Sequence, residues 1–70
     1  MSLKELVKKV FKGKKIREQF IGIYEEDEKG NPKPIYPEYA DELLETHGEL
    51  IVENYQFVQS KNVLVVEFAK

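Results

Sequence analysis

ELIVENYQFVQSKNVLVVEFAK, residues 49–70, is the stretch whose reading decides the fold. Leu50, Ile51, Val52, Tyr55, Phe57 and Val58 lie on one side of the polar run Gln59-Ser60-Lys61-Asn62, and Val63, Leu64, Val65, Val66 and Phe68 on the other. β-Branched and aromatic residues interrupted once by turn-forming ones predict two strands joined by a tight turn. A lone hairpin is only marginally stable in water, so the preceding residues must supply further strands and a covering layer.

Working back, Pro37 suits the first position of a helix, with Ala40, Leu43, Leu44 and His47 on its inner face and Gly48 at its end. Before it, Asp27-Glu28-Lys29-Gly30 reads as a hairpin tip in which Gly30 takes positive φ. Ile16–Glu25 has strand composition. The return segment Asn31–Tyr36 contains Pro32 and Pro34, which confine it to a short edge strand or an extended run. At the start, Ser2-Leu3-Lys4-Glu5 is a capping-box pattern, and Leu3, Leu6, Val7, Val10 and Phe11 make one apolar stripe ended by Gly13. A helix over about residues 3–12 follows.

The resulting expectation is one α+β domain over residues 1–70, of order α-β-β-α-β-β. Its antiparallel sheet has three or four strands, with both helices on one face. The order repeats α-β-β, and at an offset of 35 Gly13, Ile16, Phe20 and Ile23 fall on Gly48, Ile51, Tyr55 and Val58. The helices do not align at that offset.

Size limits what such a chain can do. A domain of 70 residues buries only about 60% of the surface its unfolded chain exposes. It has no cysteine for a disulfide, and His47 is its only histidine, so no zinc cluster is expected. Stability must come from the apolar core, supplemented by self-association. The absence of cysteine fits a reducing, cytoplasmic location. No signal peptide is apparent, since Lys4, Lys8 and Lys9 break the first apolar residues, and no run approaches a membrane span.

The net charge of −2 conceals an asymmetry. Residues 1–18 carry seven cations against two acids, a net +5, and residues 19–70 carry four against eleven, a net −7. Lys8, Lys9, Lys12, Lys14, Lys15 and Arg17 form the basic head. Such a run can neutralise phosphates of nucleic acid. It can equally be a solvated helix face whose lysine stems flank the apolar stripe, or be offset by a neighbouring acidic helix. As a membrane anchor the first helix is short and has no tryptophan.

The strands point instead to a protein surface. With alternation, neither face of the strands is purely polar, and two helices can cover only one face. Tyr55, Phe57, Val63 and Val65 are the interface candidates, with a second copy of the chain as one partner. A bulge near Glu53-Asn54 would instead gather the apolar residues on one side. Base stacking on the aromatics is disfavoured, because Glu18 and Glu53 share their faces.

Catalysis has little support. Ser2, Thr46 and Ser60 sit where hydroxyls serve as caps and turn formers, and His47 at a helix C-terminus is explained by the dipole. Glu18 and Glu53 are a candidate acid/base pair that also reads as ordinary strand carboxylates. The acidic run Glu25–Glu28 lacks calcium-loop spacing, and no glycine-rich phosphate loop is present. The expectation is a non-catalytic binding or regulatory module with no cofactor, acting on a protein partner or on itself. Nucleic-acid binding is the alternative.

Overall fold

The first helix, α1, spans Leu3–Val10 in a computed structural model that describes residues 1–70. Ser2 caps it: Ser2 Oγ accepts from the Glu5 amide at 3.2 Å, and its hydroxyl donates to Glu5 Oε1 at 3.1 Å. Leu3, Leu6 and Val7 are buried, and Phe11, the cap residue, continues the stripe. The chain then turns through Gly13 at φ +79°, with the Lys14 amide donating to Phe11 O at 2.9 Å. Ile16–Glu18, expected as the start of a strand, is a 3₁₀ turn, which lets Ile16 pack back against the core.

Strand β1 is Phe20–Ile23. Beyond it the tip forms as expected. Glu26 bridges Pro32, the Asp27 amide donates to Asn31 O at 2.8 Å, and Gly30 has φ +83°. Asp27 Oδ1 accepts from the amides of Lys29 and Asn31 at 2.9 and 2.8 Å, holding the loop from inside. The proline-bearing return is extended but joins no strand. It crosses the face of the sheet away from the helices and sets Ile35 directly over Gly22. A Cβ at Gly22 would collide with Ile35 Cγ2 and touch Val63 Cγ1 at 3.5 Å, so this close approach requires glycine.

Strand β2 is only Glu38–Tyr39, and helix α2 runs Ala40–His47. The helix therefore starts later than Pro37. The intervening residues pair antiparallel with β1, Phe20 with Tyr39 and Ile21 with Glu38, and the Ala40 amide donates to Gln19 O at 2.8 Å. Strands β3, Val52–Val58, and β4, Val63–Phe68, form the expected antiparallel hairpin, with Asn62 at φ 54° in the turn. Their register shifts between Val52 and Asn54. That bulge, anticipated near Glu53-Asn54, puts Val52 on the helix side together with Phe57, against one core.

The order of the four-stranded sheet is β2-β1-β4-β3. The α+β class and the two helices on one face agree with the sequence reading, as does a count of four strands. However, β2 is Glu38–Tyr39 and not the return segment Asn31–Tyr36, and the sheet is mixed where an antiparallel one was expected. Its central pair, β1 and β4, is parallel, with Phe20 opposite Val63, Ile21 opposite Leu64 and Ile23 opposite Val66. The physical reason lies in β4 itself. Val63-Leu64-Val65-Val66 is apolar without alternation, which is the pattern of a strand covered on both faces and both edges. Placed last in the chain but in the middle of the sheet, it is reached by a crossover through α2 and β3, which brings it in parallel to β1. Ile21, Leu64 and Val66 meet Leu3, Leu6, Val7, Phe11, Ala40 and Leu43 on the helix side. Each of these side chains except Ala40 contributes about 1.5–3 kcal/mol of transfer free energy. At the offset of 35, Ile16–Glu18 and Ile51–Glu53 differ in structure, so the apparent repeat does not extend to its first residues.

Candidate interaction surfaces

The two edges of the sheet are built differently. β2 ends one side after two residues. β3 ends the other with seven, and only its start is occupied: the Val52 amide donates to Met1 O at 2.8 Å, and the Leu3 amide to Leu50 O at 2.9 Å. From Asn54 to Phe57 the outward backbone has no partner in the chain. Beside this edge Tyr55 is 54% exposed and Ile51 52%, and Met1 and Leu50 are also exposed.

The four interface candidates are divided between two faces. Tyr55 and Phe57 lie opposite Val66 and Leu64, on the helix side. Phe57 is half-buried, its ring edge-on to Phe11 at 6.2 Å, with Lys14 Nζ 6.0 Å from its centroid. Val63 and Val65 lie on the opposite face. Val63 is only 8% exposed and Val65 half-buried, and with Val58, Ile35 and Pro37 they line a cavity of about 380 Å³. The returning loop thus covers much of the surface expected to be left over. The rest of that face is polar: Asn54 Nδ2 donates to Glu67 Oε1 at 3.1 Å, and the Tyr24 hydroxyl donates to Glu26 Oε1 at 3.2 Å. Partial desolvation, followed by that hydrogen bond and the charges of Glu26 and Glu67, raises the Tyr24 pKa above its ordinary value.

All six basic candidates are exposed, and none makes an ion pair; the one salt bridge in the chain joins Lys33 to Glu25 at 3.8 Å. Although α1 and α2 share the helix side, no lysine of α1 reaches an acid of α2. Lys8, Lys12 and Lys14 surround a groove of about 420 Å³ between α1, the 3₁₀ turn and α2. Lys4 joins them there. It was not singled out in the sequence, although its spacing of four from Lys8 and eight from Lys12 signals one helix face. Lys9, Lys15 and Arg17 lie outside the groove.

The hydroxyl and carboxylate candidates are dispersed. Ser2 is consumed by its cap and Ser60 is in the β3–β4 turn. Thr46 Oγ1 lies 2.6 Å from His47 Nδ1 and 3.3 Å from Leu43 O, and the imidazole stacks on Phe68 with centroids 5.7 Å apart. None of the cavities is lined by Thr46 or His47. Glu18 lies in the turn before β1 and Glu53 on the bulge of β3, with β4 between those strands, so they form no pair. No three His, Asp or Glu side chains converge as a cation site. No helix is long and apolar enough to cross a membrane.

These features define a small α+β domain with a mixed four-stranded sheet, one open edge and a lysine-rimmed groove. Comparison with protein-family models, curated proteins and solved structures finds no match for the chain.

Proposed function

We propose that the protein is a non-catalytic binding module of the cytoplasm that engages protein partners by strand addition along the open edge of β3. A second copy of the chain is the simplest such partner. The observation that carries this reading is the unpartnered backbone from Asn54 to Phe57, flanked by exposed Ile51 and Tyr55. Free amides and carbonyls in a row are a template for another strand, and adjacent apolar side chains supply the burial that makes pairing worthwhile. A two-fold through Tyr55 pairs two β3 strands antiparallel, sets Tyr55 against its own symmetry mate and puts Glu53 opposite Phe57, away from its own.

Sedimentation equilibrium at micromolar concentration tests the self-pairing. Reversible dimerisation that Tyr55→Lys abolishes is the expected outcome. Weakening by Val65→Lys, with Tyr55→Lys silent, would move the contact to the opposite face. An 8.2 kDa species throughout would remove self-pairing and leave strand addition to other proteins.

The second reading, nucleic-acid binding through Lys8, Lys9, Lys12, Lys14, Lys15 and Arg17, rests on the absence of ion pairs at all six. It is weaker because the two aromatics beside the lysines, Phe11 and Phe57, pack on each other and offer no free ring there. Oligonucleotide binding that falls steeply with salt would favour it.

A further inference from the structure

We propose that the groove between α1, the Ile16–Glu18 turn and α2 is a second docking site, whose occupant is an acidic protein segment carrying apolar side chains. Val7, Phe11, Ile16 and Leu44 form its floor, and Lys4, Lys8, Lys12 and Lys14 its rim; no acidic side chain lines it. A volume of about 420 Å³ accommodates a few side chains of a partner. The rim is unusual in its own terms. Lys4 and Lys8 lie four residues apart on one face of α1, a spacing at which like charges repel, and Lys12 and Lys14 follow in the turn beyond it. No carboxylate of the chain comes within ion-pair distance of these lysines. Four ammonium groups without ion pairs around an apolar floor are complementary to a carboxylate-bearing partner.

The chemistry of the lining selects among polyanions. Lysines are point charges without the planar fork that reads bases or phosphates in two places at once. The groove holds no arginine, asparagine or glutamine, and its one aromatic, Phe11, is 3% exposed, so no ring is free to stack on a base. An apolar floor inside a ring of ammonium groups instead suits leucine- or phenylalanine-type anchors set among glutamates or aspartates. The chain's own acidic tip is a poor candidate. From Glu25 to Pro34 it has no leucine, isoleucine, valine or aromatic residue to place on the floor.

Fluorescence anisotropy with a short labelled peptide, bearing Glu and Leu at helical spacing, tests the site in the full chain. The peptide should bind, and its Glu→Gln counterpart should bind far more weakly. The double variant Lys8→Gln/Lys12→Gln should lose about tenfold in affinity, since each exposed charge contact supplies only a few-fold. Lys29→Gln/Lys61→Gln, an equal charge change elsewhere, should leave affinity unchanged. Tyr55→Lys should also leave it unchanged, which separates this site from the β3 edge. Equal losses in the two double variants would reduce the effect to net charge and overturn the proposal. So would tighter binding of an oligothymidylate of equal charge, or of phosphatidylserine vesicles, than of the peptide. Absence of peptide binding would overturn it as well.

Discussion

The two edges of this sheet receive opposite treatment from the same chain. On the β2 side the strand lasts two residues, is preceded by Pro34 and Pro37, and passes directly into α2. No second molecule can extend the sheet there for more than a step. On the β3 side the strand is seven residues long, contains neither lysine nor proline, and is guarded only by its bulge and by Met1–Leu3 at its start. The contrast teaches where growth of the sheet is permitted. One edge is closed by composition, and the other is left open next to exposed apolar residues.

The largest effect expected in testing that contrast comes from beneath the open edge. Phe11 braces Phe57 and is buried, so Phe11→Ala should cost about 3–5 kcal/mol in urea denaturation. A loss below about 1 kcal/mol, within the range of surface changes, would show that α1 does not support β3, and that the open edge is loosely held. On the closed side, Gly22→Ala places a methyl group against Ile35 and should cost about 1–3 kcal/mol while loosening residues 31–37 to protease. Unchanged stability would mean that the covering segment contributes nothing, and that both faces of the closed side are effectively free.

Smaller effects belong to the tip that carries this segment. Asp27→Ala removes two hydrogen bonds in an exposed loop and should cost about 1 kcal/mol by thermal melting, with the core untouched. The smallest is a titration. Because the Tyr24 pKa is raised above its unfolded value of about 10, its contribution to stability is fully present below that pH and lost as pH rises through the folded pKa. In alkaline absorbance titration, Tyr24→Phe should remove signal centred above the ordinary tyrosine value. If the lost signal is instead centred at the ordinary tyrosine value, the polar end of the covered face is not organised as described.

Local features of this molecule were legible in the residues. Ser2 and Glu5 announced the cap, Gly30 the tip, Gln59–Asn62 the last turn, and the mixed faces of β3 the bulge at Glu53. What escaped was long-range. Nothing near Pro37 shows that Glu38 and Tyr39 will be claimed by β1 before the helix starts. The apolar run of β4 did carry a signal for a central strand, but local patterning cannot name the neighbours. The surface followed the same division. The six cations were visible as exposed charge, while the burial of Val63 depended on Ile35 arriving from a distant loop. The apolar floor that turns a lysine run into a groove needed Ile16 and Leu44 to be brought to α1.

The parallel pairing of β1 with β4 also has a temporal consequence. β3 and β4 are near neighbours in sequence and can zip together in microseconds, as hairpins do. β1 must wait, because Phe20 finds Val63 only across more than half the chain, and the entropy of closing that long loop is spent before any contact repays it. Until residues 63–66 are available, β1 has only β2 beside it, and only at Phe20 and Ile21. Contact order therefore favours closing the sheet at its middle after the β3–β4 hairpin, with the outer edge of β3 open meanwhile.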